Sequence, residues 1–192
     1  MSLLIPVLLG SVRAERQGIK AARYIISRLE GRGHKAVLID PLEKQLPLLD
    51  RMYKEYEKGT APPVLQELAD LYRRADGFVI VSAEYNQSVP PALKNLLDHF
   101  LEEYFWRPST IVCYSGGRFG GVRAAVALRP ILAELGMPSL PSILAIPSIG
   151  KALSDDGSPN EPWIDGATAR FLEEFEWYAS ALAAKRQGGV PF

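Results

Sequence analysis

A chain of 192 residues is long enough for one sizeable domain and short for two. Its 22 basic residues balance 22 acidic ones, so it carries no basic excess of the kind that nonspecific nucleic-acid binding needs. A single cysteine, Cys113, excludes an internal disulfide scaffold and argues against a cysteine metal cluster, and the two histidines, His34 and His99, stand far apart without ligand spacing.

Strand-like and helix-like segments alternate along the chain. Leu3–Leu9 is an apolar run of the kind buried in a parallel sheet. It turns at Gly10 into a polar segment, Ser11-Val12-Arg13-Ala14-Glu15-Arg16-Gln17-Gly18, and a helix is predicted over Ile19–Leu29. Ala36–Ile39 is the second strand, ending at Asp40-Pro41. The stretch Leu42–Pro63, rich in proline and charge, is too long for an idle connection. Val64–Arg74 has helical spacing, with Val64, Leu65, Leu68, Leu71 and Tyr72 on one face. Phe78–Val81 is the third strand, followed by a polar turn over Ser82–Pro91 and a helix over Ala92–Tyr104. Thr110–Tyr114 is the fourth strand, and the glycine-rich turn Ser115–Gly121 leads into a helix over Val122–Leu135. Ser142–Ile146 is the fifth strand, a loop covers Pro147–Trp163, and the last helix runs over Ile164–Ala184, with Lys185–Phe192 expected to be loose. No run reaches the length needed to cross a bilayer. The first apolar run lacks a basic lead and a small-residue cleavage site, so the expectation is a cytoplasmic protein without membrane contact.

This alternation implies a parallel sheet with helices on both faces, an α/β three-layer sandwich. Five strands suit a flavodoxin-like sheet of order 2-1-3-4-5, within a single domain over residues 1–192. In such a sheet, ligands bind beyond the carboxyl ends of the strands where the order reverses, and the loops after strands 1, 3 and 4 meet there. Those are the three most unusual segments of this chain. The first combines the free amides and positive dipole of a helix start with Ser11, Arg13 and Arg16, which suits a phosphate. The second offers Glu84, Tyr85, Asn86 and backbone groups, which suit a flat heterocycle. The third supplies glycines that let the backbone approach a ring closely. A phosphate at one end and a planar ring at the other describe a mononucleotide.

Each residue also has a plainer reading. Tyr85 reads as a loop aromatic, Asn86 as a turn residue, Glu84 as the partner of an arginine and Arg118 as a solvated charge. Cys113 reads as core, and His99 as structural or at an interface.

The ordered set Gly10-Ser11-x-Arg13, Glu84-Tyr85-Asn86-x-Ser88-x-Pro90-x-x-Leu93-Lys94-Asn95-x-x-Asp98 and Ser115-Gly116-Gly117-x-x-Gly120-Gly121-x-Arg123 resembles the NADPH-dependent FMN reductase family, which includes quinone, chromate and azo-dye reductases. Leu46-Pro47-Leu48-Leu49-Asp50 is similar to that family's loop after strand 2, and the resemblance covers about residues 3–150. The chain departs from the family's pattern at Ala83, Pro91 and Arg16, where Pro, Gly and Ser are usual.

The resemblance implies a flavodoxin-like fold and a noncovalently held FMN, with NADPH or NADH as electron donor. By motif position, Ser11, Arg13, Arg16, Gln17 and Gly18 would hold the phosphate. Glu84, Tyr85 and Asn86 would contact the isoalloxazine ring, flanked by Ser115, Gly116 and Gly117. The chemistry would be a ping-pong exchange, hydride from NAD(P)H to flavin N5 and then reduction of a quinone, flavin or similar small acceptor. The flavin carries it, so no catalytic side chain is expected. The resemblance also implies a homodimer or homotetramer, with the helix bearing Leu93, Leu96, Leu97, Phe100 and Leu101 as a candidate interface element.

The alternative from another class is a flavodoxin-type FMN electron carrier serving protein partners. Such carriers are usually acidic, and this chain is neutral. A phosphatase reading fails on spacing: Cys113 and Arg118 are one residue too close for a Cys-x5-Arg loop. No G-x-G-x-x-G follows the first strand, which disfavours a nucleotide dehydrogenase.

Overall fold

The computed structural model describes residues 1–192. Five parallel strands, β1 (Leu4–Leu9), β2 (Lys35–Ile39), β3 (Phe78–Ala83), β4 (Ser109–Tyr114) and β5 (Ser139–Ile146), form one sheet of order β2-β1-β3-β4-β5. Register runs Leu4 to Lys35, Val7 to Val79, Phe78 to Ser109 and Ile111 to Ile143 across the four pairs. The helices are α1 (Gly18–Gly31), α2 (Pro41–Lys44), α3 (Pro63–Arg74), α4 (Pro91–Asp98), α5 (Val122–Glu134), α6 (Ile149–Ala152) and α7 (Pro162–Gln187).

Both faces of the sheet are covered, and the strand side chains alternate between them. Ile5, Val7, Leu9, Val79, Val81, Val112 and Tyr114 face α1 and α7. Leu8, Phe78, Ile80, Ile111 and Cys113 face α3, α4 and α5. This layering fixes the geometry of the site. It brings the ends of β1, β3 and β4 to one edge, with the sheet order reversing between β1 and β3.

Several boundaries differ from the sequence reading. The helix expected to run to Tyr104 stops at Asp98. Phe100 and Tyr104 leave the helical path to pack on Tyr72, with ring centroids 5.0 and 5.4 Å away, and Glu103 is buried against Arg73 at 2.7 Å. Burial of three aromatic rings thus outweighs continuation of the helix. Of the side chains on the candidate interface helix, Leu93, Leu96, Leu97 and Phe100 are buried in the chain's own core and present no surface to a second copy, whereas Leu101 is partly buried.

β5 begins three residues early, at Ser139, with an irregular register around Ser109 and Ile111. Pro141 is tolerated because β5 is an edge strand. The last helix reaches Gln187, where Arg186 donates to the Trp106 carbonyl at 2.9 Å. Phe192 then lies edge-on to Trp106 with ring centroids 4.9 Å apart but stays 80% exposed, so of the segment expected to be loose Lys185–Gln187 join the helix and the rest lies on the surface.

The Leu42–Pro63 stretch contains α2 and a single 3-10 turn at Tyr53–Glu55. It is stapled to α4. Asn95 accepts from the Leu49 N–H at 2.9 Å and donates to the Pro47 carbonyl at 2.7 Å. His99 Nε2 sits 3.1 Å from the same carbonyl, so His99 is structural. No helix is long and apolar enough to cross a membrane.

Candidate functional site

The turn between β1 and α1 is rich in unpaired backbone donors. Of the N–H groups from Ser11 to Ile19, that of Arg16 alone finds a partner within the chain, the Arg13 carbonyl at 3.2 Å. The other eight have no partner within the chain, and those of Gln17, Gly18 and Ile19 lie at the positive end of a 14-residue helix that has no side-chain cap. Unpaired amides at a helix start suit an anion. Arg13 is exposed beside them, its guanidinium carbon 6.0 Å from the Tyr85 ring centroid.

Arg16 is placed differently from the expectation. It does not extend freely into the turn. Its guanidinium donates to both carboxylate oxygens of Asp40, at 2.5 Å for the Nη1–Oδ1 bond, and to the Ser11 carbonyl at 3.0 Å. Asp40 is buried at the end of β2 and also accepts from the Leu42 N–H at 2.9 Å, capping α2. Arg16 thereby ties the β1 turn to the β2 turn, and the isolated positive charge there is Arg13.

The β3–α4 turn supplies the opposite wall. The Tyr85 hydroxyl bonds the Ser11 hydroxyl at 2.6 Å. Tyr85 and Ser88 exchange backbone bonds of 3.0 and 2.9 Å, which forces Asn86 and Gln87 into left-handed conformations at φ 48° and 65°. Asparagine is among the few residues suited to that region. Glu84 accepts from the Arg123 N–H at 3.1 Å and from its guanidinium at 3.2 Å. It therefore caps the start of α5, and the plainer reading of Glu84 describes its present partners.

In the β4–α5 turn the glycines divide by role. A Cβ at Gly121, whose φ is +81°, would fall 2.7 Å from the Tyr114 backbone, so this glycine is structural. Gly116 and Gly117 face open space. Arg118 stacks over Phe119 at the surface, 4.9 Å from its ring.

Ser11, Arg13, Arg16, Gln17, Glu84, Tyr85, Ser115 and Gly116 together line one cavity of about 280 Å³. Gly18 lies beneath it, while Asn86 and Gly117 stand outside its lining. Glu15, Ala83, Tyr114 and Ile149 complete the wall and were not named as site residues from the sequence: Glu15 reads as a solvated loop charge and the other three as ordinary strand or loop apolars. A larger hollow of about 650 Å³ lies between residues 53–61 and α3, and none of its lining residues belongs to a strand or to the three converging turns. Cys113 is buried in β4 and burial pushes its thiol up to about 12, which removes it as a nucleophile at neutral pH.

A parallel sheet of this order with an anion-binding turn at its switch point is the architecture of a flavodoxin-like nucleotide-binding protein. The chain belongs to the NADPH-dependent FMN reductase family, whose model matches residues 3–151. It is an FMN-dependent oxidoreductase with NAD(P)H as electron donor. It is 31% identical over 177 residues to a quinone reductase from Pseudomonas putida, covering 89% of each chain. It is 27% identical over 171 residues to an NADPH azoreductase from a Bacillus species, covering 88% of this chain and 89% of the other. Among solved structures, the flavoenzyme NAD(P)H:(acceptor) oxidoreductase FerB from Paracoccus denitrificans shares the fold, with a TM-score of 0.71 over 95% of this chain and 98% of that one at 23% identity.

Proposed function

We propose that residues 1–192 act as one FMN-binding domain that reduces quinones, free flavins or similar small acceptors. The observation that carries the site assignment is the β1–α1 turn, with eight unpaired amides beside one free arginine. That donor set fits a phosphate dianion. Ser11, Gln17 and Gly18 frame the phosphate, Arg13 pairs with it, and Arg16 holds the turn through Asp40. Tyr85 and Asn86 stand on one side of the ring and Ser115, Gly116 and Gly117 on the other, where the absent side chains leave room for a flat ligand. Glu84 supports that wall through Arg123. When bound, the flavin supplies hydride and electron transfer, while the protein supplies binding, orientation and access. A reduced nicotinamide nucleotide as donor supports a cytoplasmic setting for the reaction. The chain assembles as a homodimer or homotetramer, with the exposed Leu48 and Leu49 joining the surface of α4 as contact candidates.

An absorbance spectrum before and after anaerobic NADPH tests the reading. Flavin bands that bleach with NADPH are expected. Bands that persist with NADPH and NADH would overturn the reductase in favour of a carrier. Arg13→Ala is expected to weaken FMN binding by about 10- to 100-fold, the span of a hydrogen bond to a charged group, without unfolding the flavin-free protein. Unchanged affinity would remove Arg13 from the phosphate site.

A further inference from the structure

Tyr114 ends β4 and lines the cavity, yet it is only 5% exposed, and its hydroxyl has no hydrogen-bond partner. Tyr72 and Tyr104 also carry unpaired buried hydroxyls, but they sit in the aromatic core behind α3, far from any ligand wall. The Tyr114 hydroxyl instead lies under the first turn of α1. A Cβ at residue 18 would stand 2.1 Å from that oxygen and 2.7 Å from its ring carbon. Gly18 does not need glycine for its backbone conformation, since its φ is not positive. Glycine is there for space, and the phenol fills it. Ser11 lies close enough to pull on the phenol, but its hydroxyl sits 2.6 Å from that of Tyr85 and makes no hydrogen bond of ordinary geometry to Tyr114. A buried hydroxyl without a partner is destabilising, and of the three unpaired phenols Tyr114 is the one that borders a cavity where a ligand can complete it.

We infer that the Tyr114 hydroxyl is a phosphate-binding donor of this chain, delivered from β4 into the α1 turn through the gap left by Gly18. The inference rests on the FMN reading above. The group is suited to the task. Burial raises the phenol above its ordinary value, against the opposing pull of Ser11, Arg16 and Arg13, so it keeps its proton and can donate. It enters from the sheet side, whereas Arg13 and the amides approach from the turn. The dianion is thus held from two directions, and a ligand lacking a phosphate gains nothing from Tyr114.

Tyr114→Phe tests this, read by flavin fluorescence on serial dilution of protein loaded with FMN or with riboflavin, which has no phosphate. The expected result is a loss of FMN affinity of about 10- to 100-fold with riboflavin affinity unchanged. The flavin-free variant should melt no lower than the parent, because the lost hydroxyl had no partner. Unchanged FMN affinity would overturn the inference. So would an equal loss for both flavins accompanied by a lower melting temperature, which would make Tyr114 a packing residue. A parent protein that takes up neither flavin would overturn the FMN reading and this inference with it, and that outcome is visible before any variant is made.

Discussion

Replacing Asp40 with asparagine isolates the charge that ties the β1 and β2 turns together. The asparagine keeps an oxygen for the Leu42 N–H, so the cap on α2 survives, and the volume is conserved. What disappears is the counter-charge to Arg16. The Asp40 side chain is 2% exposed and that of Arg16 14% exposed, so neither group can recover much hydration without opening the turn. Breaking a buried pair by removing one partner costs about 3–5 kcal/mol. Asp40→Asn keeps one acceptor and Arg16 borders the cavity, so the lower end applies, about 3 kcal/mol. For a chain of this size that corresponds to a drop of roughly 6–12 °C in Tm. Urea and thermal unfolding of the flavin-free protein measure it without the stabilisation that bound ligand adds. Arg16→Met combined with Asp40→Asn should recover part of the loss, because no charge is then stranded. A cost below about 1 kcal/mol, typical of an exposed pair, or a double variant no more stable than Asp40→Asn alone, would refute the argument.

Two further outcomes follow from other parts of the fold. Gly121→Ala places a methyl 2.7 Å from the Tyr114 backbone at a φ of +81°, and should cost at least about 1–2 kcal/mol in chemical unfolding. Gly117→Ala, facing open space, should cost little, and equal costs would contradict the division of roles between these glycines. Glu176 is held below the usual carboxylate range chiefly by the Arg32 guanidinium, with His34 assisting. A lowered folded pKa stabilises above the ordinary carboxylate value and loses that contribution as pH falls through the lowered one. The stability gap between parent and Glu176→Gln should therefore be full at pH 7 and close below about pH 4; a gap independent of pH would show that the ion pair contributes nothing.

The sheet order and the three converging turns were legible because both rest on local patterns. Buried parallel strands read as continuous runs such as Phe78–Val81, and turns announce themselves through Gly, Ser and Arg. The errors lie where a residue's fate depends on a distant partner. Nothing within Gly10–Gly18 says that Arg16 will meet Asp40, 24 residues on. The apolar spacing of Leu93, Leu96, Leu97 and Phe100 is the same whether that face meets a second copy or its own core. Helical periodicity continues through Tyr104, and only the rings of Tyr72 and Phe78 explain why the chain departs at His99. Tyr114 was passed over because a tyrosine closing a strand reads as core, and the empty space at Gly18 has no signature in the letters.

The stretch after β2 is fastened to α4 by its backbone: Asn95 and His99 grip the Pro47 carbonyl, and Asn95 also takes the Leu49 amide. Leu48, between those points, is 85% exposed and borders a groove shared with Val12 of the β1–α1 turn. A rim anchored through main-chain atoms can exchange its side chains while keeping its path. Residues 46–50 are accordingly a place where surface side chains can be varied, by drift or by library, provided Asn95 and His99 are left alone.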